Sequence, residues 1–176
     1  MGRCCKNSTK ISCNAINAAT KLSLNGFEIT RSGVYEICEN VRWKVSKDNS
    51  RAITIRASNV TLVFKRHYLK QLDHTVSNTA AIVIASGAEN VSISGGSITE
   101  VSGQAILLEP GSKNININEM TFSFIGYKGS LTTIIVPVFF VRQTSGVIAM
   151  NCNPDDEQIS HVTISNCTQL SSPKAL

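Results

Sequence analysis

Three acidic residues stand in a row at Asp155, Asp156 and Glu157, and a histidine follows at His161. Hydrolysis of a glycosidic bond needs two carboxyl groups about 5–9.5 Å apart, one as acid and one as base or nucleophile. An imidazole nearby can add proton transfer. Asp155, Asp156 and His161 are therefore the candidate catalytic set. The run follows Asn153-Pro154, however, and aspartates after Asn-Pro suit an exposed turn. No Ser-His-Asp arrangement follows from the scatter of His67, His74 and His161. The favoured reading needs no catalytic residue, and the acidic set is its alternative.

A second group is Lys65, Arg66, Tyr68 and Lys70, three cations and an aromatic ring within six residues. Such a group suits a sugar, an acidic glycan or a protein partner, and it is the candidate ligand-binding set. It opens a stretch, 65–79, that is longer than a short repeat requires. A second long stretch runs from Phe124 to Thr133. In repeat proteins such insertions often build a binding face.

Six cysteines (Cys4, Cys5, Cys13, Cys38, Cys152 and Cys167) show no Cys-x-x-Cys pair and no Cys/His ligand spacing. No metal site and no cofactor is expected. The cysteines read as mostly free or buried thiols, with disulfides among the first four as the minority reading, and with Cys152 and Cys167 stacking inside as small apolar groups.

The net charge of +5 is lopsided. Residues 1–70 hold thirteen Lys/Arg and four Asp/Glu; residues 71–176 hold four and eight. The cations are spread singly and no aromatics interleave with them, which argues against nucleic acid. No apolar run reaches the ~18–20 residues of a membrane span, which argues against a membrane. The opening MGRCCKNSTK lacks the apolar stretch of a signal peptide. Gly2 with Cys4 and Cys5 hints at dual acylation, but Lys6 stands where that pattern wants Ser or Thr.

The elements that must position these residues are short and repeated. Residues 52–64 read AITIRASNVTLVF, 81–93 AIVIASGAENVSI and 105–117 AILLEPGSKNINI. VIAM (147–150) and HVTISNC (161–167) continue the pattern. Asn59, Asn90 and Asn114 are 31 and 24 residues apart, and His161 takes the place of the next asparagine. A period of about 20–50 residues signals a solenoid or a blade array. Two or three strands of a few residues per repeat fit one winding of a parallel β-helix better than a propeller blade.

Alternation predicts one inward stack of Ile53, Ile55, Ile82, Ile84, Ile106 and Leu108. It predicts a second of Val60, Leu62, Val91, Ile93, Ile115 and Ile117. Ile98, Val101, Met120 and Phe122 begin a third. Gly87, Asn90 and Gly95-Gly96 supply the corners. The sequons at Asn59, Asn90 and Asn166 read as this corner phrase rather than as glycan sites. Residues 12–22, SCNAINAATKL, are expected to form a short amphipathic helix capping the first coil. The segment 168–176 makes a poor lid. The organisation expected is an N-terminal segment with capping helix at 1–30 and a β-helix of about 4–6 coils at 31–176.

The run from Gly33 to Leu69, GVYEICENVRWKVSKDNSRAITIRASNVTLVFKRHYL, resembles right-handed parallel β-helix repeat proteins of the pectin-lyase-like group. Sequences of this kind are found in bacteria and giant viruses. His67 keeps a place that such repeats share, whereas Val63, Lys65 and Arg66 stand where they usually have Asp, Asn and Gly. The resemblance implies an all-β, right-handed parallel β-helix and says little about activity, since one fold hosts many. The expectation is a non-catalytic module with a structural or binding role, on a virion, a surface or a larger assembly. Its partner would be a protein or another copy at the C-terminal end, with a glycan as a further class. The alternative is a small polysaccharide lyase or glycoside hydrolase.

Overall fold

The computed structural model describes residues 13–16, 26–45, 50–73, 79–126, 148–150 and 158–170. All regular structure among them is β. The strands are β1 (Cys13–Ile16), β2 (Phe27–Ile29), β3 (Gly33–Ile37), β4 (Val41–Trp43), β5 (Arg51–Ile55), β6 (Val60–Val63) and β7 (Tyr68–Gln71). They continue as β8 (Ala80–Ile84), β9 (Glu89–Val101), β10 (Gln104–Leu108), β11 (Lys113–Ile125), β12 (Ile148–Met150), β13 (Ser160–Ser165) and β14 (Thr168–Leu170).

Every pairing is between parallel strands of successive windings. One ladder runs β1-β3-β6-β9-β11-β13, and a second runs β2-β5-β8-β10-β12. β9 and β11 turn a corner, and their second halves join β4, β7 and β14 in a third ladder. The described residues thus form a parallel β-solenoid of about 3 turns, fewer than the 4–6 coils expected.

The expected stacks are the core. Ile53, Ile82 and Ile106 are register partners, as are Ile55, Ile84 and Leu108. On the first ladder Val60, Val91 and Ile115 align, and Leu62, Ile93 and Ile117 align. Leu69, Ile98 and Phe122 form the third column. All of these are buried. A single coil would leave its apolar edge wet; stacking removes it from water at about 1.5–3 kcal/mol per large aliphatic side chain.

The corners are set by backbone handedness. Asn59, Asn90, Asn114 and His161 all take positive φ, between 54° and 57°. Asparagine tolerates this region better than most residues. Asn90 Nδ2 donates to Asn59 Oδ1 at 3.0 Å, and Asn114 Nδ2 to Asn90 Oδ1 at 3.0 Å. The corner is therefore an amide ladder, with His161 in the fourth place.

Two expectations need correction. Cys13–Ile16 is strand β1, paired with β3, and not the start of a capping helix. The open edge of β3 offers these residues backbone partners that an isolated helical turn could not match, and Ile16 is fully buried. The remainder of that proposed helix lies outside the described residues. Secondly, Cys38 is disulfide-bonded, so for it the minority reading holds in place of the favoured free thiol; the other half of the bond lies outside the residues whose side chains are described. Cys167 is free and half-buried. Cys152 also falls outside the description. Among the described residues no helix is long and apolar enough to cross a membrane.

Candidate binding face

The stretch expected as a loop at 65–79 contains a strand, β7. Its alternation buries Leu69 and Gln71 and turns Tyr68 and Lys70 outward. Register then assigns their neighbours. Arg42 of β4 lies beside Lys70. Ser97 and Thr99 of β9 lie beside Tyr68 and Lys70. Thr121 and Ser123 of β11 come next, then Thr168 and Leu170 of β14. The outer side of the third ladder thus passes from cations and a phenol to rows of hydroxyls.

Within that face Arg42 Nη2 donates to the Tyr68 hydroxyl at 3.4 Å. Lys70 Nζ donates to Glu100 Oε1 at 2.6 Å. Ser123 Oγ donates to Thr99 Oγ1 at 2.8 Å. Tyr68 and Lys70 are brought together with Arg42, which sequence reasoning had not included. The signal was present in Val41-Arg42-Trp43, where an exposed Arg sits between two buried residues.

Lys65 and Arg66 occupy the corner before β7, with φ of 48° and 67°. Lys65 Nζ reaches the nearly buried Glu36 carboxylate at 2.8 Å, away from Tyr68 and Lys70. Arg66 is exposed, and its backbone N–H donates to Gly95 O at 2.6 Å. The four candidate ligand residues therefore divide between a corner and a face. His67 stands at the same corner, its Nδ1 3.4 Å from Asn40 Oδ1, which also accepts from the Tyr68 N–H at 3.2 Å.

Behind the face lies a polar group in the interior. The Gln71 amide donates to Ser102 Oγ at 2.8 Å and to the Asp73 carbonyl. Its oxygen accepts from the Ser102 N–H at 2.9 Å and from Thr79 Oγ1 at 3.2 Å. This network fixes the exit from β7 toward β8. Trp43, register partner of Gln71, is fully buried, and its Nε1 has no hydrogen-bond partner.

Carboxylates elsewhere are held by cations of other coils. Arg56 pairs with Glu28 at 3.0 Å, Arg51 with Glu109 at 3.2 Å and Lys113 with Glu89 at 3.8 Å. The Glu28 hydrogen bond, and then its charge, hold Arg56 above its ordinary pKa. Among the described residues no three His, Cys, Asp or Glu side chains gather as metal ligands. His161 is exposed at the amide corner, with Nδ1 3.2 Å from Ser160 Oγ. Its proposed catalytic companions Asp155 and Asp156 lie outside the described residues, as does His74.

Comparison with family models, curated proteins and solved structures found no match to this chain.

Proposed function

We propose that the chain is a non-catalytic β-solenoid module with a structural or binding role, akin to the pectin-lyase-like right-handed β-helices. In this reading its last coil docks a protein partner or another copy, and the Arg42–Tyr68 face offers polar contacts, a glycan among them. A place in a virion or surface assembly agrees with such a rod.

One observation carries the reading. Val162 and Ile164 of β13 are only partly buried. Their register partners one coil below, Ile115 and Ile117, are 1% and 0% exposed. The last described rung is therefore less buried than the one below it, and its half-buried apolar side chains are what a partner would cover in this reading. The ion pairs among the described residues each tie one coil to another.

The test is turnover. Pectin, polygalacturonate and alginate are incubated with the full chain, and no new reducing or unsaturated ends are expected. Turnover that disappears in Asp156→Ala would sink the non-catalytic reading and install Asp155, Asp156 and His161 as an active site.

A further inference from the structure

We infer that Asn59 is a site of N-linked glycosylation, the sequon of the amide corner whose side-chain nitrogen the fold leaves open to carry a sugar. The inference goes beyond the binding role just proposed and does not depend on it. It revises, for this one residue, the expectation that the corner phrase has no glycan.

Asn-x-Ser/Thr, with x not Pro, is the acceptor phrase for an N-linked oligosaccharide. Three such phrases fall among the described residues: Asn59-Val60-Thr61, Asn90-Val91-Ser92 and Asn166-Cys167-Thr168. The repeat explains why asparagine stands at these corners. It does not decide which of them can carry a bulky glycan. Exposure does not decide it either, because all three asparagines are exposed.

Hydrogen bonding separates them. Asn90 Nδ2 lies 3.0 Å from Asn59 Oδ1, and Asn166 Nδ2 lies 3.0 Å from Asn118 Oδ1. A sugar on either nitrogen has to fit beside the amide that the nitrogen already touches. Asn59 stands at the foot of the ladder. Gly33 is the register partner of Val60, so the residue one coil below Asn59 is Ser32, which is exposed and carries no amide. Asn59 joins the ladder through Oδ1, as an acceptor, and its Nδ2 has no hydrogen-bond partner among the described residues. Substitution on that nitrogen leaves the oxygen in place, so the bond from Asn90 survives. Thr61, whose hydroxyl completes the phrase, lies on the outer side of β6.

The cysteine chemistry agrees. Cys38 is disulfide-bonded, and disulfides persist in oxidising compartments such as the secretory one. The sugar donor used there is a polyprenyl-pyrophosphate oligosaccharide. In the transfer a bond forms between Asn59 Nδ2 and sugar C1, and the C1–O bond to pyrophosphate breaks. The pyrophosphate leaves with that electron pair, and Nδ2 gives up one proton. Transfer acts on the chain before its coils have stacked, so the amide corner then selects which occupied chains close.

The experiment is secretion of the full chain from cultured eukaryotic cells behind a cleavable leader. Occupancy is read by peptide mass after enzymatic release, which turns each carrying asparagine into aspartate. Asn59 should be occupied in most of the folded product, and Asn90 and Asn166 in little of it. Thr61→Val keeps Asn59 and its amide bond but breaks the acceptor phrase, so it should abolish occupancy at Asn59. Thr61→Ser should retain it. Trp43 fluorescence checks that both variants are folded. An unmodified Asn59 in the secreted chain, or occupancy at Asn90 or Asn166 equal to that at Asn59, would overturn the inference. Neither outcome touches the turnover assay, so the non-catalytic reading stands or falls separately.

Discussion

Gly96 sits directly against Phe64: a Cβ placed on Gly96 would lie 2.2 Å from the Phe64 Cβ and 2.5 Å from the His67 carbonyl oxygen. Neither atom is the free end of a flexible chain, so the corner where β9 bends toward the third ladder has no room for a methyl group. Gly95, beside it, has φ of 78° and open space around its Cα. The two glycines are needed for different reasons. Gly96→Ala should destabilise by about 3 kcal/mol or more through overpacking. Gly95→Ala should cost about 1–2 kcal/mol through its backbone conformation alone. Urea unfolding followed by the single tryptophan, Trp43, measures both. Equal losses would mean that the Phe64 contact does not set the corner.

The amide corner makes a similar two-way prediction. Asn90 both donates to Asn59 and accepts from Asn114. Asn90→Ala loses two exposed hydrogen bonds and places alanine at positive φ, for about 2–3 kcal/mol together. Asn90→Gly loses the same bonds but keeps the backbone easy, so it should cost about 1 kcal/mol or less. Glycine proving as harmful as alanine would put the stability in the amide ladder rather than in the turn.

Much of this architecture was legible because the repeat phrase carries its own geometry. Ala-Ile-x-Ile and Asn-Val-x-Ile put β-branched residues at period two, and an asparagine at each phrase boundary marks the turn. His161 in place of the fourth asparagine reads the same way, and it does take the left-handed corner. What failed was whatever depends on a neighbour far along the chain. Cys-Asn-Ala-Ile is compatible with helix or strand, and only the edge of β3, twenty-one residues on, decides. Tyr68–Gln71 looked like loop because Lys65 and Arg66 fill a turn without glycine, yet its alternation is that of a strand. The candidate face suffered most. Lys65 and Lys70 read as members of one ligand-binding set, and nothing local reveals that Glu36 and Glu100 take them up.

Those two ion pairs should behave differently when broken. Glu36 has a side chain only 8% exposed, and its second oxygen has no partner. Lys65→Met leaves a buried carboxylate uncompensated, and a loss of about 2–4 kcal/mol is expected after allowance for the half-exposed lysine. Glu36→Gln combined with Lys65→Met should recover much of it. Lys70→Met, which breaks the more exposed pair with Glu100, should cost under about 1 kcal/mol. Thermal melts of the three variants decide the matter. A double variant no better than Lys65→Met would show that shape, not charge, is what Lys65 supplies.

The stacked columns predict a gradient of sensitivity along the solenoid. Ile82 lies between Ile53 and Ile106 in the middle of its ladder, fully buried. Ile82→Ala removes contacts above and below at once and leaves a cavity that strands on both sides hold open. A loss of about 3–4 kcal/mol is expected. Val162 has Ile115 below it and is only half-buried, so Val162→Ala should cost about 1 kcal/mol or less in the monomer. Because each coil leans only on its neighbours, unfolding should begin at β12 to β14. Hydrogen exchange tests that order directly: amides of β13 should exchange well before those of β6 and β8 in dilute protein. Uniform protection from β3 to β13 in the dilute chain would mean that the last rung is already covered and that the solenoid ends closed at both sides.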